Sequence, residues 1–144
     1  MDQLKLVAFD DQDLKIVSAH VQDAVMKIGG LQYSAASKRF VLPMNRFAWE
    51  SRHGFFRQRY ERRRSVLDFA RVLSVKSAGI SRDKPEDVLA LLAVRFQPKE
   101  TPAGIIELDF SGGGTIALEV ECIEARLADL DSAWEASSRP IHKI

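Results

Sequence analysis

At 144 residues, with a net charge of +1, 46% apolar and 28% charged side chains, the chain has the composition of a soluble globular protein of one domain, large enough to bury an ordinary core. Near-neutral charge excludes a global electrostatic pull toward nucleic acid or an anionic membrane. The single cysteine, Cys122, excludes an intrachain disulfide and a zinc cluster built on cysteines.

No apolar run approaches the roughly 20 residues that a membrane helix needs. The first residues lack the basic and then apolar pattern of a secretory signal. A cytoplasmic location is therefore the expectation.

Leu4, Leu6 and Ala8 alternate with Lys5 and Val7, which predicts a short strand ending at Asp10-Asp11. Either aspartate can cap a helix, and Asp13 then lies near its positive end. Leu14, Val17, Val21 and Ala24 fall on one face of that helix. His20 sits beside the stripe with no nucleophile or acid placed next to it, so it reads as a helix-edge histidine.

Residues 25–33 read as extended, broken at Gly29-Gly30 by a bulge or bend, and residues 34–38 as a polar turn. In residues 39–49, Phe40, Leu42 and Met44 share one parity, while Phe47 and Trp49 take the other. That switch predicts a bulge at Pro43-Met44-Asn45, and the proline predicts a sheet edge.

Residues 51–64 differ from the rest in composition. Between Arg52 and Arg71 lie seven arginines against Glu61 and Asp68, a charge of +5, leaving 14 basic and 18 acidic side chains elsewhere. Phe55, Phe56 and Tyr60 are interleaved. Arginines among aromatics can neutralise phosphates and stack on bases, so Arg57, Arg59, Arg62, Arg63 and Arg64 are the candidate binding residues. The simpler reading is a solvated hairpin loop.

Residues 65–77 return to strand, with Leu67, Phe69, Leu73 and Val75 in phase and Arg71 intruding. Residues 79–86 connect onward. Residues 88–96 are apolar nearly throughout; length alone does not separate strand from short helix, and the β-friendly ending before Pro98 favours strand. Arg71 and Arg95 lie on apolar strands, where a buried arginine needs a paired acid; otherwise each points outward or pairs with an acid on a neighbouring strand.

Ile106, Leu108 and Phe110, then Ser111-Gly112-Gly113-Gly114, then Ile116, Leu118 and Val120 form a hairpin pattern. The glycines lack the Lys-Ser/Thr of a phosphate loop, so they read as a turn. Glu107, Asp109, Glu119 and Glu121 take the outward parity, as a solvated sheet face. Ile123, Leu127, Leu130 and Trp134 then step by four, three and four, which predicts a helix over residues 122–134. Cys122 falls at that junction and reads as a buried, inert thiol.

The predicted fold class is α+β: a strongly bent antiparallel sheet or open barrel of about seven strands, one N-terminal helix and a C-terminal capping helix. This is the order of a pleckstrin-homology-like roll. Residues 1–136 form the single expected domain and residues 137–144 a frayed tail.

Asn45-Arg46-Phe47-Ala48-Trp49-Glu50, Arg71-Val72-Leu73-Ser74-Val75, Leu91-Leu92-Ala93-Val94-Arg95-Phe96, Pro102-Ala103-Gly104 and the run from Gly113 through Glu124 together resemble an uncharacterised bacterial family, domain-of-unknown-function family 2948. The resemblance covers nearly the whole chain. It implies a bacterial cytoplasmic single domain and carries over no reaction, ligand or catalytic residue.

With no catalytic template, no cofactor motif and no metal spacing, the functional expectation is a non-enzymatic binding or scaffolding module for a protein partner. The alternative is an anion or nucleic-acid binder using the arginine segment, and an enzyme ranks third. A second copy pairing along residues 39–49 is a further expected association.

Overall fold

The computed structural model describes residues 3–47 and 62–130. Residues 48–61, with Arg57 and Arg59, and residues 131–144, with Trp134 and the expected tail, lie outside the described part.

The expected N-terminal elements are present. Strand β1 (Lys5–Ala8) leads into helix α1 (Asp11–His20). Asp10 caps the helix, its side chain accepting from the Asp13 N–H at 2.8 Å, while Asp13 accepts from the Phe9 N–H at 3.3 Å. Leu14, Val17, Val21 and Ala24 are all buried, so the predicted stripe is the core-facing one. His20 is half-buried, its Nδ1 2.9 Å from the Ile16 carbonyl oxygen.

The chain then forms β2 (Val25–Lys27), a 3-10 turn at Ile28–Gly30, β3 (Gln32–Ser34), β4 (Arg39–Phe47), β5 (Arg62–Phe69), β6 (Val72–Ala78), β7 (Val88–Pro98), β8 (Gly104–Phe110), β9 (Thr115–Val120) and β10 (Ala125–Asp129). All neighbouring pairs are antiparallel, in the order β1-β10-β5-β4-β2-β7-β8-β9-β6, with β3 beside β4. The sheet is strongly bent but not closed, because β1 and β6 end it without pairing.

Two long ribbons make the bend. β5 continues into β6, and β9 into β10, across adjacent corners. There the Ala70 N–H donates to the Glu124 carbonyl at 2.9 Å and the Glu121 N–H to the Arg71 carbonyl at 3.0 Å. Arg71 turns its corner with φ +63, in the left-handed region that side chains rarely adopt. That corner resets the parity. Phe69 and Val72 are both buried, whereas Leu73, read as in phase with Phe69, is 44% exposed. Residues 65–77 are therefore two strands.

The predicted seven strands and C-terminal helix are overturned. The sheet has ten strands, and α1 is the α-helix among the described residues. Residues 125–129, placed in a capping helix by the sequence, are the strand β10, hydrogen-bonded between β1 and β5. Its inner face is Ala125, Leu127 and Asp129, all buried, with Arg126 outward. A carboxylate on the inner face broke the apolar alternation and left the helical spacing of Ile123, Leu127 and Leu130 as the apparent signal. The likeness to a pleckstrin-homology-like roll rested on that helix and falls with it.

β4 also departs from expectation. It is an interior strand, paired with β5 without a register shift from Phe40 to Phe47, so neither the bulge nor the bare edge exists. Arg46, not Phe47, continues the inward parity of Phe40, Leu42 and Met44. On its other side β4 meets β3 up to Val41 and β2 at Asn45. Pro43, which has no N–H to give, falls in the interval that the 3-10 turn leaves between them.

The hairpin expectations held. β7 is a strand along its whole length, and Ser111–Gly114 forms the tight connection of β8 and β9, with Gly112 and Gly113 at φ +83 and +92. The core runs through the bend: Leu42, Leu67, Phe69, Leu91, Ile106, Leu108, Leu118 and Leu127 are fully buried. Each such side chain contributes roughly 1.5–3 kcal/mol of transfer free energy.

Candidate functional site

Of the predicted arginines, Arg62, Arg63 and Arg64 open strand β5 and are not part of a loop. Arg62 is exposed and holds its guanidinium 4.7 Å from the centroid of the Phe47 ring, a cation–π contact. Arg63 is half-buried opposite Arg46, and Arg64 is exposed opposite Asn45.

The register extends this patch over a whole sheet face. Lys5 on β1, Arg126 on β10, Arg62 and Arg64 on β5 and Arg39 on β4 all take the outward parity. Asp68 is the one carboxylate that shares the face among the described residues, bridged to Arg39 at 3.1 Å. The concealed charge polarity of the sequence is therefore real in space: this half of the sheet is basic outside. On the other half, Glu107 and Asp109 hold Arg95 at 3.1 and 2.7 Å, Glu121 holds Lys38 at 2.8 Å, and Glu119 accepts from Ser74 at 3.0 Å.

Arg71 and Arg95 are exposed, not buried, and each pairs with acids on a neighbouring segment; Arg71 reaches Glu124 at 3.3 Å and Glu121 at 3.7 Å. The arginine that is buried is Arg46, 0% exposed. Its Nε and Nη2 donate to the two carboxylate oxygens of Asp129 at 2.8 Å each, and its Nη1 to the Phe47 carbonyl at 3.1 Å. The Ser65 hydroxyl donates to Asp129 at 2.5 Å and the Leu4 N–H at 3.0 Å.

Burial alone pushes the Asp129 carboxyl up. The donors from Arg46, Ser65 and Leu4 outweigh burial, so its pKa lies below the ordinary aspartate value. The cluster ties β1, β4, β5 and β10 together. The sequence brought out Arg46 only within the motif of the family resemblance and did not bring out Asp129; the available signal was that Asp129 shares parity with Ala125 and Leu127.

Two hollows among the described residues lie at the other end of the sheet, around β6. An outer groove of about 350 Å³ is lined by Leu73, Ser74 and Lys76 of β6 together with Lys99, Ala117 and Glu119. An inner groove of about 250 Å³ lies on the opposite face of the same strand, between Val75 and Ser77 of β6 and Leu31, Tyr33 and Phe40. Among the described residues β6 pairs only with β9. Its other edge is fastened at one end, where the Val72 N–H donates to the Lys38 carbonyl at 2.8 Å and its carbonyl accepts from the Tyr33 hydroxyl at 3.1 Å. Beyond Val72 the edge has no strand partner among the described residues, and residues 76–78 are exposed. A third hollow of about 300 Å³ lies at Arg95, Phe96, Gln97 and Glu107, where the Arg95 and Glu107 charges pair with each other.

Cys122 is half-buried and a free thiol. It lies in the turn between β9 and β10, so the element that follows it is a strand. Among the described residues no group of His, Cys, Asp and Glu could hold a metal ion, and no helix is long and apolar enough to cross a membrane.

No curated protein and no solved structure matches the chain. Over residues 4–142 it matches the family described as a protein of unknown function, DUF2948, which spans both ribbons, the buried Arg46–Asp129 pair and the grooved strand alike: the chain belongs to that family.

Proposed function

We propose that this domain is a non-enzymatic binding module that takes an extended segment of a partner protein along β6. The observation that carries the reading is the edge of β6 away from β9, which beyond Val72 has no strand partner among the described residues and has the inner groove beside it. An edge strand presents a row of backbone donors and acceptors, and an added strand sends successive side chains to alternate faces. Here the inner groove opens on that side of β6, toward Leu31 and Tyr33, which supports strand addition: main-chain hydrogen bonds for affinity and a side-chain recess for selection. The polar clusters away from β6 support a module over an enzyme, since Arg46, Arg71 and Arg95 are all spent on structural partners. The proposed setting is the bacterial cytoplasm.

Selection of a random peptide library on the immobilised domain tests this, with a photo-reactive residue at Ser77. The expected result is enrichment of β-forming sequences that cross-link at Ser77 and lose binding when alternate amides are N-methylated. Binding that survives N-methylation would rule out strand addition.

The basic face supports a second reading, an anion or nucleic-acid binder. Lys5, Arg39, Arg62, Arg64 and Arg126 against Asp68 would attract phosphates. The reading ranks second because Phe47, the one aromatic on this face among the described residues, is already covered by Arg62. Single-stranded DNA should then bind with a log–log salt slope of about −0.7 per phosphate contacted, reduced when Arg62 and Arg126 are both alanine. Absence of binding at low salt would remove this reading.

A further inference from the structure

The free edge of β6 is bounded at both ends. At its start the Val72 N–H is bonded to the Lys38 carbonyl and the Val72 carbonyl to the Tyr33 hydroxyl. Beyond Ala78 the chain crosses back toward β2 and its 3-10 turn. There the Ile28 N–H donates to the Asp87 carbonyl at 3.0 Å and the Gly29 N–H to the Pro85 carbonyl at 2.9 Å. The crossing is tight: a Cβ at Gly29 would lie 2.8 Å from the Pro85 Cβ, so a side chain there would push it open.

The inner groove lies between these two fastenings. Leu31, Phe40, Val75, Ile80 and Ile116 give it apolar walls, and Arg82 joins them from the crossing segment. Ile80 lies against Gly114, at the Ser77–Ile116 end of the β6–β9 pair, so the arginine follows where β6 ends. Arg82 is exposed and has no carboxylate partner among the described residues, while Glu86 of the same segment is held by Lys27 at 2.7 Å. The groove measures about 250 Å³, against roughly 150 Å³ for a cavity that takes a benzene ring. It has room for one large apolar side chain.

We infer that the segment β6 takes is the carboxyl end of a partner chain, running parallel to β6 and finishing on a large apolar residue. This rests on the strand-addition reading above. A strand that ran on past Ala78 would meet the crossing segment, so the added chain ends there. Of the two kinds of chain end, Arg82 attracts the carboxylate and repels the ammonium. A carboxylate reaches that place only if the added strand runs in the direction of β6, from Val72 toward Ala78. Its last inward side chain then falls beside Val75 and Ser77, which oppose the buried Leu118 and Ile116, and displaces water from the apolar walls.

Acetylated peptides alternating threonine with valine and finishing on phenylalanine serve as probes, read by amide chemical shifts of the labelled full chain at low salt. One has a free carboxylate, one an amide, and one continues past the phenylalanine with Gly-Ser-Gly; a fourth finishes on threonine with a free carboxylate. The protein is compared with Arg82→Gln, an exposed position, so folding is not at stake. The expected result is that the free-acid phenylalanine peptide shifts the amides of Val75, Ser77 and Ile80 and binds about fivefold more tightly than its amide. The two become equal in Arg82→Gln, and the extended and threonine-ended peptides bind more weakly than the free acid. Equal binding of acid, amide and extended peptides at β6 would overturn the chain-end assignment while leaving strand addition standing. Equal binding of the threonine-ended peptide would overturn the apolar last residue. No perturbation of β6 by any peptide would overturn both strand addition and the chain end. Hydrocinnamate binding as tightly as the peptide would show a small apolar acid as the occupant, and concentration-dependent shifts at β6 without peptide would show a second copy; either would overturn the assignment.

Discussion

Asp129→Ala is expected to cost about 3–5 kcal/mol of stability at pH 7, measured by urea denaturation. The substitution removes one partner of a fully buried ion pair, and the loss is dominated by what stays behind. Arg46 is 0% exposed, and the substitution takes away the two Asp129 oxygens, while the Ser65 hydroxyl and the Phe47 carbonyl stay. Neither carries the charge needed to hold a cation out of water. The Leu4 N–H also loses its acceptor, so the start of β1 loosens along with β10.

Replacing the pair together, Arg46→Met with Asp129→Leu, should cost much less than the two single changes summed. No orphaned charge remains, and packed apolar side chains substitute for the pair. If the double variant were as unstable as the sum, the pair would be a net stabilising interaction and not a mutually compensated burial.

The sign of the pH dependence follows from the lowered Asp129 pKa. A carboxyl whose folded pKa lies below its unfolded value, about 3.9, contributes its stability fully above that value. The contribution is lost as pH falls through the folded pKa. The stability gap between the protein and Asp129→Asn should therefore be constant through neutral pH and shrink on acidification below about pH 4. A gap that widened on acidification would mean the carboxyl is neutral in the folded protein.

The elements that were legible in the sequence are those whose signal is local. α1 declares itself by an aspartate cap and a stripe from Leu14 to Val21. The β8–β9 hairpin declares itself by alternation on both sides of a glycine turn. The rest was set by contacts distant along the chain. Arg46 and Asp129 are 83 residues apart, and neither residue's own surroundings announce that the other will neutralise it. With both charges on inner-face positions, β4 seemed to change parity and β10 seemed helical. The two misreadings share one cause, since a pattern of apolar residues cannot register a buried polar pair. Arg71 hid a corner in the same way, because nothing in its neighbours demands a positive φ; the demand comes from folding two ribbons over the core.

The arginine segment was legible as charge but not as placement. Composition marked Arg62, Arg63 and Arg64, whereas only the pairing of β5 with β4 and β10 brings Arg39, Arg126 and Lys5 onto the same face. The β6 edge was not legible at all. Its sequence, alternating and moderately apolar, resembles that of the interior strands, and what distinguishes it is the lack of a neighbour. An edge is a property of topology, so the surface favoured for binding had no sequence signal beyond Lys76 among the apolar and small residues around it.

Leu127→Ala should cost about 2–5 kcal/mol, while Leu130→Ala should cost well under half as much. The pair separates strand from helix at the place where the sequence pointed the wrong way. In a capping helix Leu127 and Leu130 would lie on one buried stripe, and truncating either would open a cavity of similar size. In β10 they differ by an odd number of residues and face opposite ways. Leu127 is 0% exposed, opposite Leu67 of β5 and Leu6 of β1, so its truncation leaves a void that two flanking strands cannot collapse to fill. Leu130 is only half-buried and follows the strand's end, its N–H donating to the Arg64 carbonyl at 2.8 Å, a bond that an alanine keeps. Equal losses at the two positions, in denaturation curves with unchanged slope, would restore the helix and remove β10 from between β1 and β5.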